Sequence, residues 1–180
     1  PLNIGYAILK TVYGFVLHSN WIVQNGVYYA LLTLMRFIII RGAEKNEEDK
    51  ALKLSSIILS ISSFHYLLMV LEMYLHTSSP HYPGYIVYVA SLYAFIKVGV
   101  AIKGCIKLKI TATPAIVAGN NLKISHAFVS LIFLESGMLN IFGEGKEEER
   151  LILLISGLVV VVYLFVSGPL LIVLNKRNKV

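Results

Sequence analysis

The chain has 180 residues, 57% of them hydrophobic and only 14% charged, with a mean hydropathy of +0.73, whereas soluble domains run nearer about 45–50% apolar and about 25% charged. One soluble core cannot hide that much apolar surface, and at about 20 residues per membrane crossing the length is consumed by some six crossings, which excludes an added soluble catalytic domain. The net charge of +6 and pI near 9.4 would suggest nucleic acid in a soluble protein, but here Lys and Arg fall at the ends of apolar runs, as a collar facing the anionic lipid bilayer does, with no nucleic-acid partner implied.

The first apolar run extends from about Asn3 to His18 and is short for a full crossing. The sequence begins at Pro1 rather than Met, and because Lys10 interrupts the run it does not read as a cleaved signal peptide. A break at Ser19-Asn20 leads into a second run, Trp21 to Arg41, so the two read as a tight helical hairpin. The stretch from Gly42 to Lys53, with Glu44, Lys45, Glu47, Glu48, Asp49 and Lys50, is too polar for lipid and reads as an exposed loop. A third helix is expected from about Leu54 to His76. The turn formers between Thr77 and Gly84 follow it, and a fourth helix then extends to about Ile106. Lys107 to Gly119 reads as a loop broken by Pro114, followed by a fifth helix from Asn120 or Asn121 to Phe142. An acidic turn covers Gly143 to Glu149, a sixth helix occupies Leu151 to Leu174, and residues 175–179 form a basic tail. The expected architecture is therefore all-α, a single transmembrane domain over residues 1–180 made of about six helices.

Orientation follows from where the cations fall, because positively charged loops are retained in the cytoplasm. Arg41, Lys45, Lys50 and Lys53 follow the second helix; Lys103, Lys107, Lys109 and Lys123 surround the fourth loop; Lys176, Arg177 and Lys179 sit in the tail. All lie on one side. The other side has Lys146 and Arg150 among Glu144, Glu147, Glu148 and Glu149. Both termini are thus expected in the cytoplasm, in a plasma-membrane protein. Trp21, Tyr74, Tyr82 and Tyr85 then fall at the outer boundary as an aromatic belt.

A charged group at the centre of a membrane helix costs at least about 2.5–3.5 kcal/mol on insertion scales, so ionisable residues inside apolar runs are candidates for function. These are Lys10 in the first helix, His65 and Glu72 in the third, Lys97 in the fourth, and His126 and Glu135 in the fifth. Arg36 is about one turn from a helix end, where its stem can snorkel. His65 and Glu72 are seven apart, two turns on one helix face. Two carboxylates, two lysines and two histidines fit a polar cluster between helices that carries a proton or cation, with Glu135 and Glu72 changing charge and His65 tuned by them. The same residues also fit plain packing, with Lys10 or Lys97 paired to Glu135.

Other features are weaker. His76 and His81 flank the outer loop without a nearby carboxylate or cysteine, a poor ligand set, and no metal or cofactor is assigned. Cys105 is the sole cysteine, so neither an internal disulfide nor a paired-cysteine motif exists. Ser55, Ser56, Ser60, Ser62 and Ser63 favour close helix packing, and Ser167-Gly168-Pro169 is expected to bend the sixth helix. Catalytic signatures such as HExxH, GxSxG, a Walker loop or a paired-aspartate site are absent.

The opening hairpin, from Asn3-Ile-Gly-Tyr-Ala-Ile-Leu-Lys10 through Thr11-Val-Tyr-Gly-Phe-Val-Leu-His-Ser-Asn-Trp-Ile22, resembles the first two helices of the cation diffusion facilitator family. That resemblance implies six helices, cytoplasmic ends and a metal cation as cargo. It departs from the family where the metal should bind: Gln24, Asn25, Tyr28 and Tyr29 take the place of carboxylate or imidazole ligands in the second helix, and His126 is followed four residues on by Ser130 rather than Asp. The chain as a whole is similar to uncharacterised six-helix membrane proteins of Gram-positive anaerobes.

The expectation from these residues is a small transporter or channel-like protein, a homodimer or larger because six short helices barely surround a pathway. Its polar cluster would be reached by water. The competing expectation is a non-transporting membrane subunit that binds a membrane partner protein. Its polar groups would be paired and dry, beside an exposed groove of small residues.

Overall fold

The computed structural model describes residues 2–16, 20–75, 84–108, 113–144 and 146–177, and these form six α-helices. In chain order they are α1 (Leu2–Val16), α2 (Asn20–Glu44), α3 (Glu48–Leu75), α4 (Gly84–Leu108), α5 (Pro114–Phe142) and α6 (Glu147–Arg177). Helices α2 to α6 are each long and apolar enough to cross a membrane. The 15 described residues of α1 rise about 22 Å at 1.5 Å per residue, short of a hydrocarbon core of about 30 Å.

Three boundaries differ from the sequence reading, each for a local reason. The stretch expected to be an exposed loop after α2 is almost wholly helical. Asn46 takes a left-handed backbone (φ 56°), the Glu47 amide donates to the Gly42 carbonyl at 2.8 Å and the Asn46 amide to the Ala43 carbonyl at 3.4 Å. This pair of bonds closes the end of α2 in three residues. Glu48 and Asp49 then open α3, where acidic side chains favour the positive end of the helix dipole. At this turn Lys50 bonds Glu47 at 2.8 Å, and that hydrogen bond with its charge holds the Glu47 carboxyl below the ordinary carboxylate value.

The second correction concerns Pro114, expected as a breaker. It occupies the first turn of α5, behind Thr113, whose side chain accepts from the Ile116 amide at 3.4 Å. Proline suits that position because its missing N–H would have had no helical partner. Residues 114–119 are therefore helix, and Asn120 and Asn121 lie more than a turn inside it. The third is α6, which starts at Glu147 and continues through Pro169 to Arg177, so the basic tail begins as helix.

The core is built by α2, α3, α5 and α6. Tyr28, Leu32 and Met35 of α2, Leu59, Tyr66 and Met69 of α3, Leu122, Val129 and Phe133 of α5, and Val160 and Leu164 of α6 form one buried cluster. Helix α1 packs on α2, and α4 on α5, so these two stand at the periphery. A small cluster of Ala7, Tyr29 and Tyr93 joins α1, α2 and α4.

The outside is as apolar as the inside. On α3 the exposed residues Leu54, Ile57, Ile61, Phe64, Leu68, Leu71 and Leu75 recur at alternating steps of three and four, while the buried face carries Ser55, Ser56, Ser62 and Ser63 beside Leu59, Tyr66 and Val70. The outward stripe is uniformly large and apolar, whereas the inward face mixes serines with larger side chains. In water an apolar stripe of this extent would be an association surface; in lipid it is the ordinary exterior, and the small interior residues let helices approach closely. Gly157 of α6 shows how closely: a methyl added there would lie 2.8 and 2.9 Å from the two γ-carbons of buried Val70. Gly168 similarly stands against the Ser56 carbonyl.

Candidate functional site: polar groups inside the bundle

Buried polar residues run along α5 for most of its length. From Asn121 to Glu135 is fourteen residues, about 21 Å along the axis, and between them lie Ser125, His126 and Ser130, all buried. Helix α5 is the element that packs against α2, α3, α4 and α6, so it alone can present polar groups to every other wall of the interior. The sites it forms are described from the end bearing the α2–α3 turn to the opposite end.

At the first level, Tyr163 of α6 donates to Asn121 Oδ1 at 2.5 Å, and Ser125 donates back to the Asn121 carbonyl at 2.9 Å. The amide Nδ2 of Asn121, the Oδ1 of Asn120 and the hydroxyls of Ser55 and Ser56 are buried with no hydrogen-bond partner among the described residues. The Asn120 amide reaches Cys105 Sγ at 3.5 Å.

Midway, the Tyr29 hydroxyl and Ser130 Oγ are 2.8 Å apart. Ser130 spends its own proton on the His126 carbonyl at 2.6 Å, so Tyr29 is the donor between the two. The Tyr29 ring stacks on the His126 imidazole, centroids 5.5 Å apart and planes 28° from parallel, and meets Tyr93 of α4 edge-on at 5.9 Å. Lys97, one turn from Tyr93, holds its ammonium 4.8 Å from the Tyr93 ring centroid, a cation–π arrangement. His126 is 3% exposed, and neither ring nitrogen has a partner among the described residues. On the α2–α3 side, the rings of Tyr28 and Tyr66 lie 5.4 Å apart, both fully buried, and neither hydroxyl is bonded to a described residue.

At the far level, Gln24 of α2 links two residues of α3. Its side-chain amide donates to Glu72 Oε2, and its backbone carbonyl oxygen lies 3.2 Å from His65 Nε2. On the other side of the interior, Ser156 of α6 donates to Glu135 Oε2 at 2.8 Å.

Five of the six ionisable residues singled out in the sequence thus fall into three groups. His65 and Glu72 share one face of α3, as their spacing requires, and meet at Gln24. Lys97 and His126 flank the Tyr29–Tyr93 contact. Glu135 bonds Ser156 on α6. The side chain of Lys10, together with Trp21, His76, His81, Tyr82 and Tyr85, lies outside the described residues; Tyr74 of the expected aromatic belt is half-buried. Arg36 is exposed. In the sequence Tyr28 and Tyr29 stood out only as replacements for metal ligands, and Tyr66, Tyr93 and Tyr163 were passed over. Their signal was there: a buried tyrosine brings a hydroxyl that needs a partner, and eleven tyrosines in so apolar a chain are a large polar inventory counted as apolar.

In comparisons with family models, curated protein sequences and solved structures, nothing matches this chain.

Proposed function

We propose that this protein is a small multi-pass membrane transporter or channel-like protein that moves a proton or small cation through the polar interior between α2, α3, α5 and α6. In this reading it lies in the plasma membrane with both termini cytoplasmic and works as a homodimer or larger assembly. The observation that carries the reading is the row of buried polar atoms without partners among the described residues: the hydroxyls of Tyr28, Tyr66, Ser55, Ser56 and Ser62, the Asn121 amide and the His126 ring. A buried donor or acceptor left unmade costs about 1–3 kcal/mol, so native proteins fill such places with ordered water or ligand. A scaffold whose polar residues only fix helix packing has no reason to carry that cost at several places along one interior. Glu135 and Glu72, near one end of this row, supply the negative charge a cation would seek, and the resemblance of the opening hairpin to cation diffusion facilitators favours the same class of cargo.

The test is flux into proteoliposomes with a panel of monovalent and divalent cations and a pH-sensitive dye, comparing wild type with Glu135→Gln and Tyr66→Phe. Flux that falls with either variant is expected. Absence of flux for every ion, from protein shown to be folded, overturns the proposal and leaves a membrane subunit that binds a partner protein.

A further inference from the structure

A serine inside a helix can satisfy its hydroxyl locally by donating to the carbonyl three or four residues back. Ser60 and Ser63 of α3 do so at 3.1 and 2.7 Å, as do Ser125 and Ser130 of α5 and Ser167 of α6. Ser55 and Ser62 do not. Both are buried, and their hydroxyls hold no hydrogen bond among the described residues; the same is true of the Tyr66 hydroxyl. The three share one face of α3: Ser62 is seven residues beyond Ser55 and Tyr66 eleven, which at 3.6 residues per turn puts them within about 20° of Ser55 on either side. Tyr28 of α2 meets this face, its ring 5.4 Å from that of Tyr66 and its own buried hydroxyl likewise unbonded among the described residues.

The row rises about 10 Å from Ser55 to Ser62 and about 6 Å from Ser62 to Tyr66. Ser55 is seven residues from the start of α3 at Glu48, and Tyr66 is nine from its end at Leu75, about 10 and 14 Å, so the row occupies the middle of the crossing. Helical side chains lean towards the N-terminus, which carries the Tyr66 hydroxyl back towards Ser62. At about 2.8 Å per O–H···O bond, one water joins Tyr66 to Ser62, and a file of about three joins Ser62 to Ser55. Beyond Tyr66 the row reaches the level of a carboxylate. Val70, one turn on, stands against Gly157 of α6, and the adjoining Ser156 bonds Glu135 at 2.8 Å.

Oxygens strung in a line suit one conducted species. A dehydrated metal cation needs several oxygens around it at once, about six for the common divalent ions. Here each level offers one or two, and no group of three His, Cys, Asp or Glu that could hold a metal occurs among the described residues. A hydroxyl, by contrast, both accepts and donates, so it takes a proton from one neighbour while releasing its own to the next and ends neutral. We propose that the α3 face of Ser55, Ser62 and Tyr66, with Tyr28 opposite, binds a single file of water and conducts protons to and from Glu135, to the exclusion of metal cations. The inference rests on the transport reading and narrows its cargo to the proton.

The experiment uses the full chain in lipid bilayers and has two readouts. Water-edited solid-state NMR reports how quickly water magnetisation reaches each residue, independently of flux. Transfer to Ser62 and Tyr66 is expected to outrun transfer to Val70 and Leu164, which are as fully buried but apolar. In proteoliposomes under an imposed membrane potential, a trapped pH dye is expected to report proton flux without uptake of sodium, calcium or zinc ions. Ser62→Ala and Tyr66→Phe each remove one oxygen and keep the remaining packing. Each should slow proton flux about tenfold, the rate equivalent of one hydrogen bond, while Ser60→Ala, whose hydroxyl is spent on its own helix, leaves it unchanged. Transfer to Ser62 and Tyr66 no faster than to Val70, or wild-type proton flux in both folded variants, overturns the water file. Uptake of a metal cation overturns the proton relay and leaves the transport reading standing; absence of any flux from folded protein overturns both.

Discussion

Replacing Gly157 with alanine tests the close approach of α3 and α6 on which the bundle rests. The new methyl would stand 2.8 Å and 2.9 Å from the two γ-carbons of Val70, where carbon atoms at their optimum sit about 3.5–4.0 Å apart. Val70 is fully buried and β-branched, so in a helix its side chain has one strongly preferred rotamer and cannot swing away. Overpacking of this kind costs about 1–3 kcal/mol, while removing a glycine from a helix interior returns about 1 kcal/mol, leaving a net loss of up to about 2 kcal/mol. Val70→Ala alone loses buried methyl groups and leaves a void, costing about 2 kcal/mol. In the double variant the alanine methyl enters the space the valine vacated, so the two losses do not add, and a coupling of about 1–2 kcal/mol is expected. The assay is equilibrium unfolding by sodium dodecyl sulfate in mixed micelles, run as a double-mutant cycle. Gly99→Ala is the control, since nothing lies within 4 Å of a methyl at that position, and it should be neutral or stabilising. Gly157→Ala at or above wild-type stability, with effects strictly additive to Val70→Ala, would refute the packing argument.

At the α2–α3 turn, Asn46→Gly should hold stability within a few tenths of a kcal/mol because glycine takes the left-handed backbone freely, whereas Asn46→Val should lose about 1–2 kcal/mol; the same denaturation assay checks both. Glu47, by its bond to Lys50, should titrate below an ordinary glutamate. A carboxyl lowered in the folded state contributes stability above its unfolded value, lost as pH falls through the folded one. Carboxyl ¹³C NMR should show the titration returning to normal in Lys50→Met, and an unchanged midpoint would discount the ion pair. Cys105 is exposed between Lys103 and Lys107, so a membrane-impermeant maleimide should label it in inside-out vesicles and leave right-side-out ones unlabelled. The reverse pattern would invert the proposed orientation.

How much of the candidate site could be read beforehand depends on the range of the interaction. His65 and Glu72 could be placed on one face from their spacing alone, because a helix makes a seven-residue step a local matter. Their meeting at Gln24 could not, since it depends on the register of α2 against α3. Glu135 was recognisable as costly in lipid, but its partner Ser156 looks in sequence like any helical serine. Lys10 or Lys97 reads in sequence as a partner for Glu135, which bonds Ser156; the Lys97 ammonium over the Tyr93 ring is by contrast a one-turn contact within α4 that the spacing of the two residues already allowed. The polar loops misled for the opposite reason. Glu48 and Asp49 are hydrophilic and were counted out of the helix, although the first turn of a helix is where acidic side chains are favoured.

The sequence by itself determined the all-helical architecture and its division into six apolar stretches, read as six crossings, of which five form helices long and apolar enough to cross a membrane. Each follows from the length and hydropathy of a continuous stretch, and a helix satisfies its own backbone hydrogen bonds without help from elsewhere in the chain. Which face of each helix turns inward was decided only by tertiary structure. Where lipid is as apolar as leucine, hydrophobicity no longer separates inside from outside. The inward faces were chosen instead by the fit of Gly157 to Val70 and Gly168 to Ser56, and by the few polar contacts that α5 makes with its neighbours.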